Sequence, residues 1–375
     1  MEFGFTPQQE MIRNEASSFL SRECTIPLVR ELMESERAHD ESLWEKMASM
    51  GWMGLIFPER YDGVGLSFVE LSILMEQMGA ALLPGAYFST VVLAGLTLFE
   101  AADDAQKERW LASLAAGSLK ATLALIEPNG SWSLASASGV KAKREGDDYL
   151  ITGTKLFVPD AEVADLIICA ARGEKDALLL FALDRNSEGL TVTPLKTMDQ
   201  TRRLYEVKFE NVRAPKDRLL DGSHNIEASL ERVLDNATIA LSAQMVGGAQ
   251  RVLEMSVEFS KTRIQFNKPI GSFQAIQHRC ADMLLLVESA RSAVYAAACN
   301  AAESKQETGL LASIAKAYTN DAYSWTAGEG IQIHGGMGFT FEHDAHLYYK
   351  RAKADEFTFG DSTFHLDRVA RLIGL

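Results

Sequence analysis

Cysteine is scarce in this chain. Its four cysteines, Cys24, Cys169, Cys280 and Cys299, lie far apart with no C-x-x-C pair. That excludes a disulfide framework and a thiolate zinc site, and reads as buried thiols in a reducing compartment. Long apolar runs are missing as well. No stretch approaches the roughly 18 uncharged apolar residues of a membrane helix, and the opening residues through Glu10 have neither the basic nor the apolar segment of a signal peptide. A cytoplasmic protein with no membrane partner is expected. Positive charge is in deficit, 37 Lys and Arg against 51 Asp and Glu for a formal net charge of −14. A nucleic-acid partner, which needs a basic face, is therefore excluded, and an anionic ligand would need local basic residues set against the overall field. No strand–GxGxxG–helix unit occurs, so a nicotinamide-binding Rossmann domain is not expected. There is no internal repeat and no low-complexity tract.

What is present is enough apolar sequence, 47% of 375 residues, for two or three units around a substantial core. Residues 6 to about 120 read helical. Thr6-Pro7-Gln8-Gln9-Glu10 is a helix start, with a capping Thr, Pro in the first turn and an early acid. Gly51–Pro58 and Tyr61–Gly65 interrupt the pattern. Near residue 121 the texture changes to short β-type runs at 149–152, 164–169, 177–183, 190–193 and 205–209. Four of the nine prolines fall in this region, punctuating a compact β domain that ends near Gly222. From about 226 longer helical patterns return. Ile276, Cys280, Met283, Val287, Ala290, Val294 and Ala297 form one apolar stripe at 4-3-4-3 spacing. Leu230, Leu234, Ala237, Leu241, Met245 and Gly248 form another, in which Ala237 and Gly248 would permit close helix contact. Segregated helices, strands and helices predict an α+β fold. It would comprise an N-terminal helical domain (1–121), a central β-barrel-like domain (122–222) and a C-terminal four-helix bundle (223–375).

Two stretches carry the most chemistry: Arg263-Ile-Gln-Phe-Asn-Lys-Pro-Ile-Gly-Ser-Phe-Gln274 and Gln332-Ile-His-Gly-Gly-Met-Gly338. With Gly51-Trp-Met-Gly-Leu55, Glu127-Pro128, Gly146–Gly153 and Val212-Arg-Ala-Pro215, they resemble the acyl-CoA dehydrogenase family over essentially the whole chain. The resemblance implies FAD as cofactor, an acyl-CoA substrate dehydrogenated between its α and β carbons, and electron-transferring flavoprotein as electron acceptor. It also implies that each FAD lies across a subunit interface. Arg263 matches the arginine that reaches a neighbour's FAD pyrophosphate, a task suited to a planar charged fork. Phe266 matches the aromatic beside that cofactor. Gln274, Gln332, Ile333, His334, Gly335 and Gly336 match the segment cradling its adenosine end, where glycine allows close backbone approach. His334 reads as a loop or packing residue, not a catalyst. His343 and His346 lack a third ligand for a metal, and none is expected.

Elsewhere the chain departs from the family pattern. The threonine that meets the flavin ring is Ile126, and the flanking Trp and Thr are Phe157 and Pro159. Ile126 and Pro159 offer no side-chain donor, and Pro159 has no backbone N–H either. The catalytic glutamate is missing from both places where the family carries it. Phe359 stands before Gly360-Asp361-Ser362, and Ala237 stands at the alternative position on the preceding helix. Asp235 should face away from Ala237, two residues being about 200° round a helix. Asp361 is the nearest substitute. An intact donating arm without a base most resembles the non-basic subunit of a heterotetrameric (α2β2) member. Its partner would be a second acyl-CoA dehydrogenase-like chain that carries the Glu, and the substrate a bulky CoA ester such as a steroid side chain. The rival readings are an active homotetramer using another acid, a flavin monooxygenase on the same fold, and a non-enzymatic CoA-ester binding protein.

Overall fold

The computed structural model describes residues 4–136 and 138–375. Helices come first: α1 (Pro7–Glu23), α2 (Ile26–Glu34), α3 (Glu41–Ser49), α4 (Phe68–Ala80), α5 (Leu96–Ala101) and α6 (Asp104–Ala115). The Thr6 side chain accepts from Gln9 N while the Gln9 side chain accepts from Thr6 N, so the expected helix start is a full capping box. Strands follow: β1 (Ala121–Ala124), β2 (Lys141–Glu145), β3 (Asp148–Pro159), β4 (Leu166–Arg172), β5 (Leu178–Asp184), β6 (Leu190–Pro194) and β7 (Leu204–Ala214). The chain then runs through α7 (Ile226–Thr262), the hairpin strands β8 (Ile264–Gln265) and β9 (Lys268–Pro269), α8 (Gln274–Ala302), α9 (Thr308–His334), α10 (Ala345–Phe357) and α11 (Ser362–Leu372). No helix among the described residues is long and apolar enough to cross a membrane.

The fold gathers these elements into two compact units. One comprises Glu31–Ser67 and Pro84–Ala237; the other comprises the chain up to Arg30 with Phe68–Leu83 and Thr238–Leu375. In the first, β1 to β7 make a seven-stranded sheet of order β1-β4-β2-β3-β7-β6, with β5 on the other side of β4. Pairing is mixed: β4 runs parallel to β1 and antiparallel to β5. Every residue of β4 is buried, which is why its sequence is a continuous apolar run from Leu166 to Ala171 and not an alternation. Ile151, Val158, Ile167, Phe181, Val207 and Phe209 fill the core beneath it.

In the second unit α7 is enclosed on all sides from Thr238 to Ala249. It crosses α4 with almost no side chain between them. A Cβ on Gly79 would lie 1.8 Å from the main-chain oxygen of Gln244, and one on Gly247 1.8 Å from that of Glu76. The predicted α8 stripe is buried at Met283, Val287, Ala290, Val294 and Ala297, whereas Ile276 and Cys280 at its start are half-buried. One expectation is corrected here. All four cysteines are free, but only Cys24 and Cys169 are buried; Cys299 is exposed, because it points out from the polar side of α8. A partly buried ion pair, Arg291 Nε to Glu76 Oε1 at 3.0 Å, joins α8 to α4, and the Tyr295 hydroxyl donates to Glu76 Oε2 at 2.8 Å.

Candidate functional site

At the end of α7 the Arg263 N–H donates to Phe259 O at 2.8 Å, and the chain turns into the β8–β9 hairpin. Its two turn residues, Phe266 and Asn267, both have positive φ, 53° and 61°. Such a two-residue turn suits Asn or Gly, and Phe enters it only at a cost in strain. The turn puts the Phe266 ring out in solvent, 85% exposed, edge-on to Phe273 at 6.0 Å. Arg263 is exposed, and its guanidinium forms no ion pair or hydrogen bond with any described residue. The guanidinium and the ring are thus both open to a ligand from outside.

The second stretch, distant in sequence, is folded against the first. His334 stacks on Phe259 at 4.5 Å, four residues before Arg263, and its Nδ1 lies 2.6 Å from Gly330 O. Burial pushes its pKa below the ordinary value despite that bond, so the ring is a neutral packing element. Ile333 is buried beside it, while Gln332, Gly336 and, on the hairpin side, Gln274 are exposed. Gly335 ends α9 at φ 60°, ψ −139°, which in practice only glycine adopts. A Cβ on Gly335 or Gly336 would meet nothing within 4 Å, so the main chain there can be approached closely from outside. All eight residues expected to grip a cofactor thus lie in one unit, and the Phe259–His334 contact ties their two segments together. As a donor set, a free guanidinium, an exposed aromatic and bare backbone fit FAD.

The face expected to receive the flavin ring is different. Ile126 is buried, and its carbonyl accepts from Leu156 N at 2.8 Å. The Pro159 carbonyl accepts from the Thr122 hydroxyl at 2.6 Å. Phe157 sits at φ 54° with its ring 47% exposed. Neither Ile126 nor Pro159 has a side-chain donor to turn outward, so this half does not fit the polar edge of a flavin. Behind it lies a pair that sequence reading missed. Lys155 is fully buried, and its Nζ donates to Glu127 Oε1 at 2.9 Å and Leu125 O at 3.0 Å. The Glu127 carboxylate also accepts from the amides of Gly139 at 2.6 Å and Val140 at 3.0 Å. Burial pushes Glu127 up, but Lys155 and the two amides outweigh it and hold the pKa below the usual carboxylate value. The only signal in the sequence is a lysine inside a β-type run.

Both positions without the base are closed. Phe359 is 6% exposed at φ 62°, and Ala237 is fully buried. Asp361 is the N-cap of α11, its Oδ1 accepting from Phe364 N at 2.8 Å. Among the described residues no group of three His, Cys, Asp or Glu side chains could hold a metal. His346 Nε2 lies 3.1 Å from Phe341 O, and His343 packs on His334 at 4.4 Å.

The acyl-CoA dehydrogenase N-terminal, middle and C-terminal domain models match residues 6–118, 122–212 and 226–374. Acyl-CoA dehydrogenase IpdE2 of Mycobacterium tuberculosis is 34% identical over 351 residues, 92% of each chain. Among solved structures, a chain of the ChsE4-ChsE5 complex of Mycobacterium tuberculosis superposes with TM-score 0.90 at 27% identity, covering 100% of both chains. A chain of the Tcur3481-Tcur3483 steroid ACAD, in variant form, has TM-score 0.88 at 28% identity, covering 98% of this chain and 97% of that one.

Proposed function

The chain belongs to the acyl-CoA dehydrogenase family of FAD-dependent oxidoreductases, and we propose from that premise that it is the base-lacking subunit of a heteromeric member. One observation carries this reading: both places for the catalytic carboxylate hold closed, unreactive side chains, Phe359 and Ala237, while the Arg263 hairpin is presented whole. Loss of a general base removes on the order of 10² to 10⁴ in rate or more, so proton abstraction falls to a partner chain that carries the Glu. The three-domain division at 1–121, 122–222 and 223–375 belongs to the same reading.

In this arrangement Arg263 would offer its fork to the pyrophosphate of FAD held mainly by the partner. Phe266 would pack beside that cofactor, and the exposed backbone of Gly335 and Gly336, with Gln274, Gln332 and Ile333, would receive its adenosine end. The chemistry FAD supplies is acceptance of hydride from the β-carbon of an acyl-CoA. The unit that bears the hairpin leaves Leu284, Leu285, Ile314, Tyr318 and Trp325 exposed, apolar surface of the kind that subunits cover. The ChsE4-ChsE5 complex supports a heteromer and the steroid ACAD a bulky, steroid-type CoA ester as substrate, with electron-transferring flavoprotein as acceptor and the cytoplasm as site of action.

Arg263→Ala tests the cofactor arm. In a complex with the Glu-bearing partner it removes a bidentate charge-assisted contact, worth on the order of 2 kcal/mol or about thirtyfold in FAD affinity. Flavin bound per complex is measured against free FAD. Unchanged affinity would show that Arg263 does not cross the interface.

A further inference from the structure

The turn that carries Phe359 is built around a buried ammonium. Lys316, on α9, has no exposed surface. Its Nζ donates to Asn320 Oδ1 at 2.6 Å and to the main-chain oxygens of Asp355 at 3.0 Å, Gly360 at 3.1 Å and Glu356 at 3.3 Å. Asp355 and Glu356 belong to the last turn of α10, whose carbonyls lie at the negative end of the helix dipole. Gly360 follows Phe359 directly. Four acceptors and no donor converge on one nitrogen, an arrangement that demands the protonated amine. Burial acts the other way and pushes Lys316 down to about 7, against the pull of Asp355, Glu356 and Asp361. His365, on α11, does not compete for the proton: burial, then the charges of Lys316 and Arg368, push it down to about 3. Such a cluster is not needed to end a helix, because Thr358 N and Gly360 N already close the turn onto Asp355 O and Phe357 O at 3.2 and 3.3 Å.

We propose that Lys316 is a positioning residue, its ammonium holding the α10–α11 turn so that residue 359 is presented in the left-handed conformation. A phenylalanine at φ 62° is a conformation that a free turn would leave, and the three carbonyls gripped by Lys316 bracket it on both sides. The consequence for chemistry rests on the reading that residue 359 stands where base-bearing relatives place their Glu. On that reading the cage outlasts the base in this subunit and keeps the turn shaped around Phe359. The local geometry does not depend on that reading.

The matched pair Lys316→Met and Lys316→Gln tests it, because the two side chains are equally long and differ in whether the tip can donate. Amide hydrogen exchange of the full chain is read at Thr358 and Gly360 and, as internal reference, through α8. In Lys316→Met exchange at 358–360 should quicken about ten- to a hundredfold, the equivalent of one charge-assisted hydrogen bond, with α8 unchanged. Lys316→Gln should fall between Met and native. Native protection at 358–360 in Lys316→Met, or equal loss of protection in α8 and in the turn, overturns the proposal. If Lys316→Met does not fold, Lys316→Gln against native decides by the same comparison. The readout needs neither FAD nor substrate. Failure here leaves the assignment of Arg263 standing, and failure of the Arg263→Ala assay leaves the turn standing.

Discussion

Single charged residues in the interior do work that the sequence hardly advertises. Lys155 and Lys316 sit at apolar positions, the latter in the stripe Ala312, Lys316, Thr319 and Tyr323 that α9 buries. Lys316 is matched chiefly by backbone carbonyls and Lys155 by one carbonyl and the Glu127 carboxylate, partners that no sequence pattern marks. Their removal should be felt strongly. Lys155→Met leaves the Glu127 carboxylate buried without its cation, and breaking a buried pair from one side costs about 3–5 kcal/mol, to be read from the urea midpoint. The acid limb of stability follows from the same site. Because the folded pKa of Glu127 lies below its ordinary value, its contribution is complete above that ordinary value and is lost as pH falls through the depressed one. Glu127→Gln should therefore flatten the acid side of the stability profile, and an unchanged profile would remove Glu127 from that account. At the missing base, Phe359→Glu supplies a carboxylate while Ile126 and Pro159 still offer the flavin no donor. Steady-state assays of the variant alone with short, long and steroidal CoA esters should show no dehydrogenation. Robust turnover would mean that only the base was lacking.

At the scale of elements, periodicity was legible wherever one face is buried. The α8 stripe holds from Met283 to Ala297 because that helix packs along a single side. It fails for β2, Lys141–Glu145, a polar strand exposed at all but Ala142, and for β1, four residues long and wholly buried; neither offers an alternation to detect. Glycine placement was legible only in part. Gly248 faces Tyr323, where a Cβ would come within 2.3 Å of the hydroxyl, as its place in the small-residue stripe suggested. The tighter crossing uses Gly79 and Gly247, which join segments far apart in sequence. Gly79→Ala or Gly247→Ala drives a methyl into backbone, which no rotamer relieves, and should cost about 3 kcal/mol or more. Gly328→Ala, in α9 and with open space around it, should stabilise by about 0.5–1 kcal/mol. Thermal unfolding of the three variants side by side checks the contrast, and equal effects would refute the close crossing of α4 and α7.

For the whole molecule, the sequence was readable because family landmarks recur along its full length, and the fold confirms their order. Harder to read was the asymmetry of the site. On the proposed reading, Arg263, Phe266 and the Gly335–Gly336 backbone serve a partner's cofactor, whereas Ile126 and Pro159 have no side-chain donor for a flavin. That difference lies in which groups are free to point outward, a property of packing and hydrogen bonding and not of residue identity alone. The measurement that tests it most directly is the flavin absorbance of the purified chain, alone and after co-expression with a Glu-bearing acyl-CoA dehydrogenase chain. The account predicts little bound FAD in the chain alone and a flavin-loaded complex once the partner is present. One FAD per chain in a homomer that reduces with acyl-CoA would contradict it.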